Sequence, residues 1–261
     1  MKRALFIAAL NILLLCSCKN STEKVVEMAS ETANDMHKTT APDSINIIPI
    51  NHATMILAHK DVVIYVDPVG GTEAFAEQEK PNYILITDIH GDHFDVKTLQ
   101  AMTLDSTILV VPKAVKVKLP ELKVKNLVVM KNGDTKKFED YAIEAIPMYN
   151  LRPEALKFHE KGRGNGYVLT LGGQRIYISG DTEDIPEMRQ LKNIDIAFVC
   201  MNLPYTMTVE SAASAVLDFK PNKVYPYHFR GTEGMSDVNQ FKSLVKKENS
   251  DIEVVQLEWY K

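Results

Sequence analysis

The chain has 261 residues, of which 45% are hydrophobic and 25% are charged, and this composition is typical of a globular protein with a buried core. Its 30 basic side chains (Lys and Arg) against 34 acidic ones (Asp and Glu) give a net charge of -4. A nucleic-acid-binding protein needs a basic surface for the phosphates, so this balance excludes DNA and RNA from the expected partners.

Residues 1–18 are predicted to be a lipoprotein signal peptide. Lys2 and Arg3 precede an apolar run over residues 4–15, which is shorter than the roughly 20 residues that a transmembrane helix needs. The sequence L-C-S-C at residues 15–18 resembles the lipobox of bacterial lipoproteins, which implies lipidation of Cys18. Because no aspartate follows Cys18, the resemblance implies export to the outer membrane, on its periplasmic or outer face, with lipid as the only membrane attachment. The alternative is an ordinary secretory signal that is cleaved nearby.

Residues 19–43 are polar and poor in large apolar groups, and they are predicted to be a tether. Two of the three cysteines lie in the leader, so Cys200 is left without an intrachain disulfide partner. Cys200 stands in an apolar run and is predicted to be buried. No low-complexity tract interrupts residues 44–261, which are predicted to form one domain.

Short β-branched runs separated by polar breaks dominate the first half of this domain. Strands are predicted over residues 45–50, 54–58, 62–66, 83–87, 108–111, 126–130 and 141–147, with a helix near 96–102. The second half is predicted to have strands over 167–171, 175–179, 194–199, 223–227 and 252–257, and helices over 185–191, 209–219 and 238–247. Strand-rich halves with helices outside favour an α/β fold, a four-layer αββα sandwich.

Four potential metal ligands stand within six residues at the end of a predicted strand: Asp88, His90, Asp92 and His93. Carboxylates and imidazoles at this density need a cation to compensate their charges and lone pairs. The segment therefore predicts a metal site, and the alternative is a solvated polar loop.

This segment resembles the H-x-H-x-D-H hallmark of the metallo-β-lactamase superfamily. Three landmarks of that superfamily follow in the same order, namely Asp67 after a strand, Asp181 in a G-D-T sequence and His228 after a late strand. The stretch over residues 180–188 is similar to that of the lactonase-like and uncharacterised metal-dependent hydrolases. The resemblance runs from about residue 45 to His228 and beyond, and it implies the αββα sandwich.

Two positions depart from the pattern. Asp88 stands where the superfamily has its first histidine, which shifts the expected metal from Zn²⁺ toward Mn²⁺ or Fe²⁺ without excluding Zn²⁺. The histidine expected after the strand over residues 141–147 is missing, and Asn150 or His159 is the candidate to replace it. One or two divalent ions are therefore expected, with Zn²⁺ first.

The resemblance implies a ligand set and a reaction. One metal would be bound by Asp88, His90 and either Asn150 or His159. The other would be bound by Asp92, His93 and His228, with Asp181 between the two metals. A metal-bound hydroxide is expected to attack an ester, lactone, amide or phosphodiester, with Asp92 and Asp181 as the catalytic carboxylates. The alternatives are a non-catalytic metal-binding lipoprotein with a degenerate site, or an iron oxidoreductase.

The loop over residues 151–166 carries several cationic side chains and three glycines, and it is predicted to contact the substrate. Lys161 and Arg163 in this loop, together with Tyr205, are the predicted substrate contacts, and their charge favours an anionic small molecule. The alternative is a solvated surface loop. His52 and Asp67 are predicted to support the metal ligands from behind.

Overall fold

The structure is a computed structural model that describes residues 44–139 and 141–260. The leader predicted for residues 1–18, the tether predicted for 19–43 and Cys18 lie outside the described residues. Among the helices that the structure describes, none is long and apolar enough to cross a membrane.

Six strands form the first sheet, in the order in which they occur along the chain. The first three are antiparallel, as short strands joined by tight turns predict, and the later neighbours pair in parallel. They are β1 (Asn46–Asn51), β2 (Thr54–His59), β3 (Val62–Val66), β4 (Tyr83–Leu85), β5 (Ile108–Pro112) and β6 (Asn126–Met130).

Seven strands form the second sheet in the order β15-β12-β11-β10-β9-β8-β7. They are β7 (Thr135–Lys137), β8 (Tyr141–Met148), β9 (Gly164–Leu171), β10 (Gln174–Ile178), β11 (Ile196–Val199), β12 (Lys223–Pro226) and β15 (Glu253–Val254). Gly172 and Gly173 join β9 to β10 in a hairpin with φ angles of 57° and 77°, a left-handed conformation that glycine adopts without strain. A further pair, β13 (Arg230–Gly231) and β14 (Gly234–Met235), forms a small hairpin.

In the part of the chain that the structure describes, five α-helices cover the sheets: α1 (Val96–Ala101), α2 (Lys113–Lys118), α3 (Pro186–Arg189), α4 (Val209–Phe219) and α5 (Val238–Glu248). A 3-10 helix spans Thr72–Phe75. Along β3, Ile64 and Val66 pack into the core between the sheets. Val63 and Tyr65 face the opposite side and pack with residues of α1 and α2. This alternation follows from the two-residue period of a strand. With α4 and α5 packed on the second sheet, the layers are helix, sheet, sheet and helix, and the predicted αββα sandwich is confirmed.

Several elements differ from their predicted bounds. Helix α2 and strand β7 were not predicted, because α2 begins immediately after β5 and the three residues of β7 are all exposed and have no apolar pattern. The helix predicted over residues 185–191 is the single turn α3, and the strand predicted over 252–257 pairs only at Glu253–Val254. None of these differences moves the loops at the ends of β3, β4, β10 and β12.

Candidate metal centre

The loops after β3, β4, β10 and β12 and the turn after β1 meet at one place. They bring together Asp67, residues 88–93, Asp181, His228 and His52. Neighbouring parallel strands end at the same edge of a sheet, which explains why distant segments meet here. Three of the six described non-glycine residues with a positive φ angle are in this set, namely His52, Asp67 and His228. Such backbone conformations are uncommon for these residues and concentrate at functional sites.

Asp181 is at the centre of the cluster. Its Oδ2 lies 3.0 Å from Nε2 of His159 and 3.3 Å from Nε2 of His93. Its Oδ1 lies 3.4 Å from Nε2 of His228, and the Nε2 atoms of His93 and His228 are 3.1 Å apart. All four side chains are buried. Three imidazoles thus direct the same ring nitrogen toward one carboxylate.

Asp92 forms the open side of the cluster. Its Oδ2 lies 3.3 Å from Nε2 of His228 and 3.4 Å from Nε2 of His52, and 42% of its side chain is exposed. Solvent or a small molecule can therefore reach Asp92, and also His90, whose side chain is 40% exposed.

Hydrogen bonds on the outer side fix two of the imidazole rings. Nδ1 of His93 lies 2.8 Å from Oδ2 of Asp67, and Thr87 donates to both oxygens of Asp67. Nδ1 of His159 lies 3.1 Å from the carbonyl oxygen of Tyr205, which can only accept. With the protons on Nδ1, both rings direct an Nε2 lone pair into the cluster, as histidine ligands of a metal do.

The donor atoms fit a divalent metal. The buried side-chain atoms without a hydrogen-bond partner in the described residues include Nε2 of His159 and Oδ1 of Asp181 in this cluster. A buried polar atom without a partner carries a desolvation cost of about 1–3 kcal/mol, which a cation would offset. His93, Asp181 and His228 place one ligand atom each within 4.8 Å of one another, as do Asp88, His90 and His159, and also His52, Asp92 and His228.

The electrostatics also favour a cation. Burial by itself would raise the pKa of Asp181, but the imidazoles of His228, His93 and His159 hold this pKa well below its ordinary value. The pKa of Asp92 is likewise lowered, because hydrogen bonds from His228 and His52 outweigh burial. Both carboxylates are ionised at neutral pH. Although burial opposes it, Asp181 and Asp67 raise the pKa of the His93 imidazole, so the cluster attracts positive charge.

Asp88 has a different environment. Arg163 donates from Nε to Oδ1 at 3.0 Å and from Nη2 to Oδ2 at 2.7 Å, and Nδ1 of His90 lies 2.8 Å from the same Oδ2. Although burial opposes it, the hydrogen bonds from His90 and Arg163 lower the pKa of Asp88 to about 2. The structure therefore places Arg163, predicted as a substrate contact, on a predicted metal ligand.

The geometry separates the two candidates for the missing histidine. Nδ2 of Asn150 donates to the carbonyl oxygens of Ala155 and Tyr205, at 2.9 and 2.7 Å, and lies 3.3 Å from Nδ1 of His159. The amide nitrogen of Asn150 therefore supports the loop, and its Oδ1 is buried without a hydrogen-bond partner, whereas Nε2 of His159 faces Asp181. The structure brings His159, and not the amide nitrogen of Asn150, toward the cluster.

The other two predicted substrate contacts lie beside the site. Nζ of Lys161 pairs with Glu187 at 2.8 Å and also lies 3.2 Å from the hydroxyl of Tyr149. The ring of Tyr205 packs edge-on against Phe158 and is partly exposed. It is the carbonyl of Tyr205, rather than its ring, that contacts His159.

Sequence analysis did not identify two residues of the site, Tyr260 and Glu183. The hydroxyl of Tyr260 lies 2.8 Å from Nδ1 of His52 and accepts the backbone N–H of Phe229, and no local pattern marks a tyrosine so far along the chain. Glu183 is buried and accepts the backbone N–H of Leu151 and Arg152 at 2.8 Å each, which fixes the start of the His159 loop. Its position two residues after Asp181 was a usable signal.

The chain belongs to the beta-lactamase superfamily, because the profile of the beta-lactamase superfamily domain matches residues 46–228. The names of its relatives narrow the class to metal-dependent hydrolases. A solved structure from Parabacteroides distasonis, described as a metal-dependent hydrolase, is 41% identical and superposes with a TM-score of 0.73 over 83% of this chain and 94% of that one.

Two curated relatives have the same class in their names. A UPF0173 metal-dependent hydrolase from Natranaerobius thermophilus is 29% identical over 79% of this chain and 94% of its own length. Another from Archaeoglobus fulgidus is 26% identical over 79% of this chain and 93% of its own. The chain is therefore an enzyme of the metal-dependent hydrolase class.

Proposed function

We propose that this protein hydrolyses an ester, lactone, amide or phosphodiester bond of a small anionic molecule, at a divalent metal held by His93, Asp181 and His228. The observation that carries the proposal is the convergence of imidazole Nε2 atoms on the buried carboxylate of Asp181. A divalent cation supplies Lewis acidity and lowers the pKa of water, to about 7 for Zn²⁺. Histidine nitrogens with carboxylates favour Zn²⁺, with Mn²⁺ or Fe²⁺ as alternatives.

Asp92 is proposed as the proton acceptor. Its carboxylate is partly exposed and lies 3.3 Å from Nε2 of His228, so it is within reach of a nucleophile on the open side of the cluster. His52 holds Asp92 in place from the other side and is itself tied to Tyr260. Asp67 orients His93 through its Nδ1.

The proposed preference for an anion rests on Arg163. Its guanidinium lies at the edge of the cluster and remains 16% exposed. Its Nε and Nη2 are committed to Asp88 and Phe158, so Nη1 is the part of the guanidinium left to donate to a carboxylate or phosphate of a substrate.

The test begins with protein purified without added metal. Its metal content is measured by mass spectrometry, and turnover is then measured on an ester, a lactone, an amide and a phosphodiester, before and after chelation. We expect at least one equivalent of metal, and turnover on one class that chelation abolishes and metal restores.

Asp181→Ala should lose both the metal and the turnover, whereas Asp105→Asn, at an exposed carboxylate outside the cluster, should keep both. Bound metal without turnover on any of the four classes would contradict the proposal and favour a non-catalytic metal-binding protein.

A further inference from the structure

The carboxylate of Asp88 already has a full set of partners. Oδ1 accepts from Nε of Arg163, and Oδ2 accepts from Nη2 of Arg163 and from Nδ1 of His90. Asp88 is fully buried, and Arg163 is further anchored by the carbonyl oxygen of Phe158 at 2.5 Å. A two-point pair between a guanidinium and a carboxylate is the strongest type of side-chain ion pair.

The same contacts occupy the Nδ1 atom of His90. Its Nδ1 donates to Asp88, so this nitrogen has no lone pair to offer a metal. Asp88 and His90 are therefore engaged with each other. His159 directs its Nε2 toward Asp181, at 3.0 Å, rather than toward Asp88, at 3.9 Å.

The site has an Asp88 side and an Asp181 side, and each of these two halves balances its own charges. Asp92 and Asp181 carry two negative charges, which one divalent cation would neutralise. Asp67 is paired with His93, and the single charge of Asp88 is neutralised by Arg163. A second divalent cation bound to Asp88 would stand beside the guanidinium and be repelled by it. Buried charges are stable only when they are paired. A single metal ion on the Asp181 side is enough here, because Arg163 already pairs with Asp88.

We propose that Arg163 is the permanent cation of the Asp88 position and that the chain therefore binds a single metal ion, on the His93, Asp181 and His228 side. This inference rests on the proposed function for the presence of that one ion. It replaces the two-metal arrangement that the sequence resemblance implies with one metal and one guanidinium.

The experiment measures metal equivalents, independently of activity. The full chain is equilibrated with excess Zn²⁺ or Mn²⁺, dialysed and analysed by mass spectrometry, and the metal affinity is measured by calorimetry. The variants are Arg163→Ala, Arg163→Lys and Asp88→Asn. Arg175→Ala is the matched control, because Arg175 pairs with Glu144 on the second sheet.

We expect one equivalent in the native chain, in Arg163→Lys, in Asp88→Asn and in the control. Arg163→Ala should take up a second, weaker equivalent, because it frees Asp88 and removes the repulsion. Two equivalents in the native chain, falling to one in Asp88→Asn, would overturn the inference and leave the proposed hydrolase intact. One equivalent in both the native chain and Arg163→Ala would show that Arg163 is not what excludes a second metal ion.

No bound metal in the native chain would instead refute the proposed function together with this inference. If Arg163→Ala does not fold, the native chain, Arg163→Lys and Asp88→Asn still decide the metal count.

Discussion

Asp181 is the residue through which the imidazoles of the site are connected. Its carboxylate contacts His159, His93 and His228 and has almost no solvent access, so the negative charge it contributes cannot be replaced by water. Asp181→Asn keeps the shape and removes one charge. We expect metal affinity to fall and turnover to drop by a hundredfold or more, since damage to a metal's ligand shell has costs of this order.

The measurement for Asp181→Asn is kcat on the substrate class that the panel identifies, together with the metal content. The pH optimum should move upward, because water activated by a less firmly held cation has a higher pKa. Full activity with full metal content would show that Asp181 is not a ligand.

Substitution of Asp67 tests whether the hydrogen-bond partner of His93 contributes to metal binding. It accepts from Nδ1 of His93 at 2.8 Å and sits in a left-handed backbone conformation with φ of 46°, which asparagine tolerates well. Asp67→Asn should therefore fold but hold His93 less firmly. We expect metal affinity to fall about 10- to 100-fold, as for other outer-layer partners of histidine ligands, and calorimetry measures it. An unchanged affinity would mean that Asp67 has only a structural role.

Residues close together in the sequence were the predictable part of the site. Asp92 and His93 share one short motif, and Asp181 and His228 each follow a recognisable strand. The pairing of Asp88 with Arg163 joins residues 75 positions apart, and that of His52 with Tyr260 joins residues 208 apart. Such contacts depend on how the sheets pack, and no local pattern encodes them.

At the scale of elements, the most regular patterns were predicted best. Strands β2 and β3 are nearly continuous apolar runs because both of their faces are buried, and helix α4 has apolar residues at helical spacing because one face is buried. Strand β7 has no buried residue and is held in place by pairing with β8, so its sequence carries no signal.

Helix α4 begins with a side-chain cap. Thr208 is the N-cap, and its hydroxyl accepts the backbone N–H of Ser211 at 3.1 Å. Thr208→Ala removes that acceptor and should lower the free energy of unfolding by about 1 kcal/mol. Urea denaturation measures the change, with the exposed Thr103→Ala as the control. Equal stability of the two variants would mean that the cap contributes nothing.

At the scale of the molecule, both sheets contribute to the metal centre. His52, Asp67 and His93 follow strands of the first sheet, and Asp181 and His228 follow strands of the second. A metal bound between them stabilises only the folded state, by about 2.7 kcal/mol when its concentration is 100 times its dissociation constant. Chelation should therefore lower the melting temperature, which calorimetry measures, and added metal should restore it. A melting temperature that is independent of metal would contradict ligation from both sheets.

Attachment to the membrane is the remaining prediction for the whole chain. No described helix can span a membrane, so the proposed attachment depends on lipid at Cys18, which lies outside the described residues. Cys18→Ser removes the only lipidation site that the lipobox resemblance implies, and the protein should move from the membrane fraction to the soluble fraction. Cys16→Ser is the matched control, because Cys16 would leave with the signal peptide and its loss should not affect attachment. Fractionation with mass spectrometry of the N-terminus measures both variants, and a correctly cleaved, lipid-free chain that stays on the membrane would show that lipid is not the anchor.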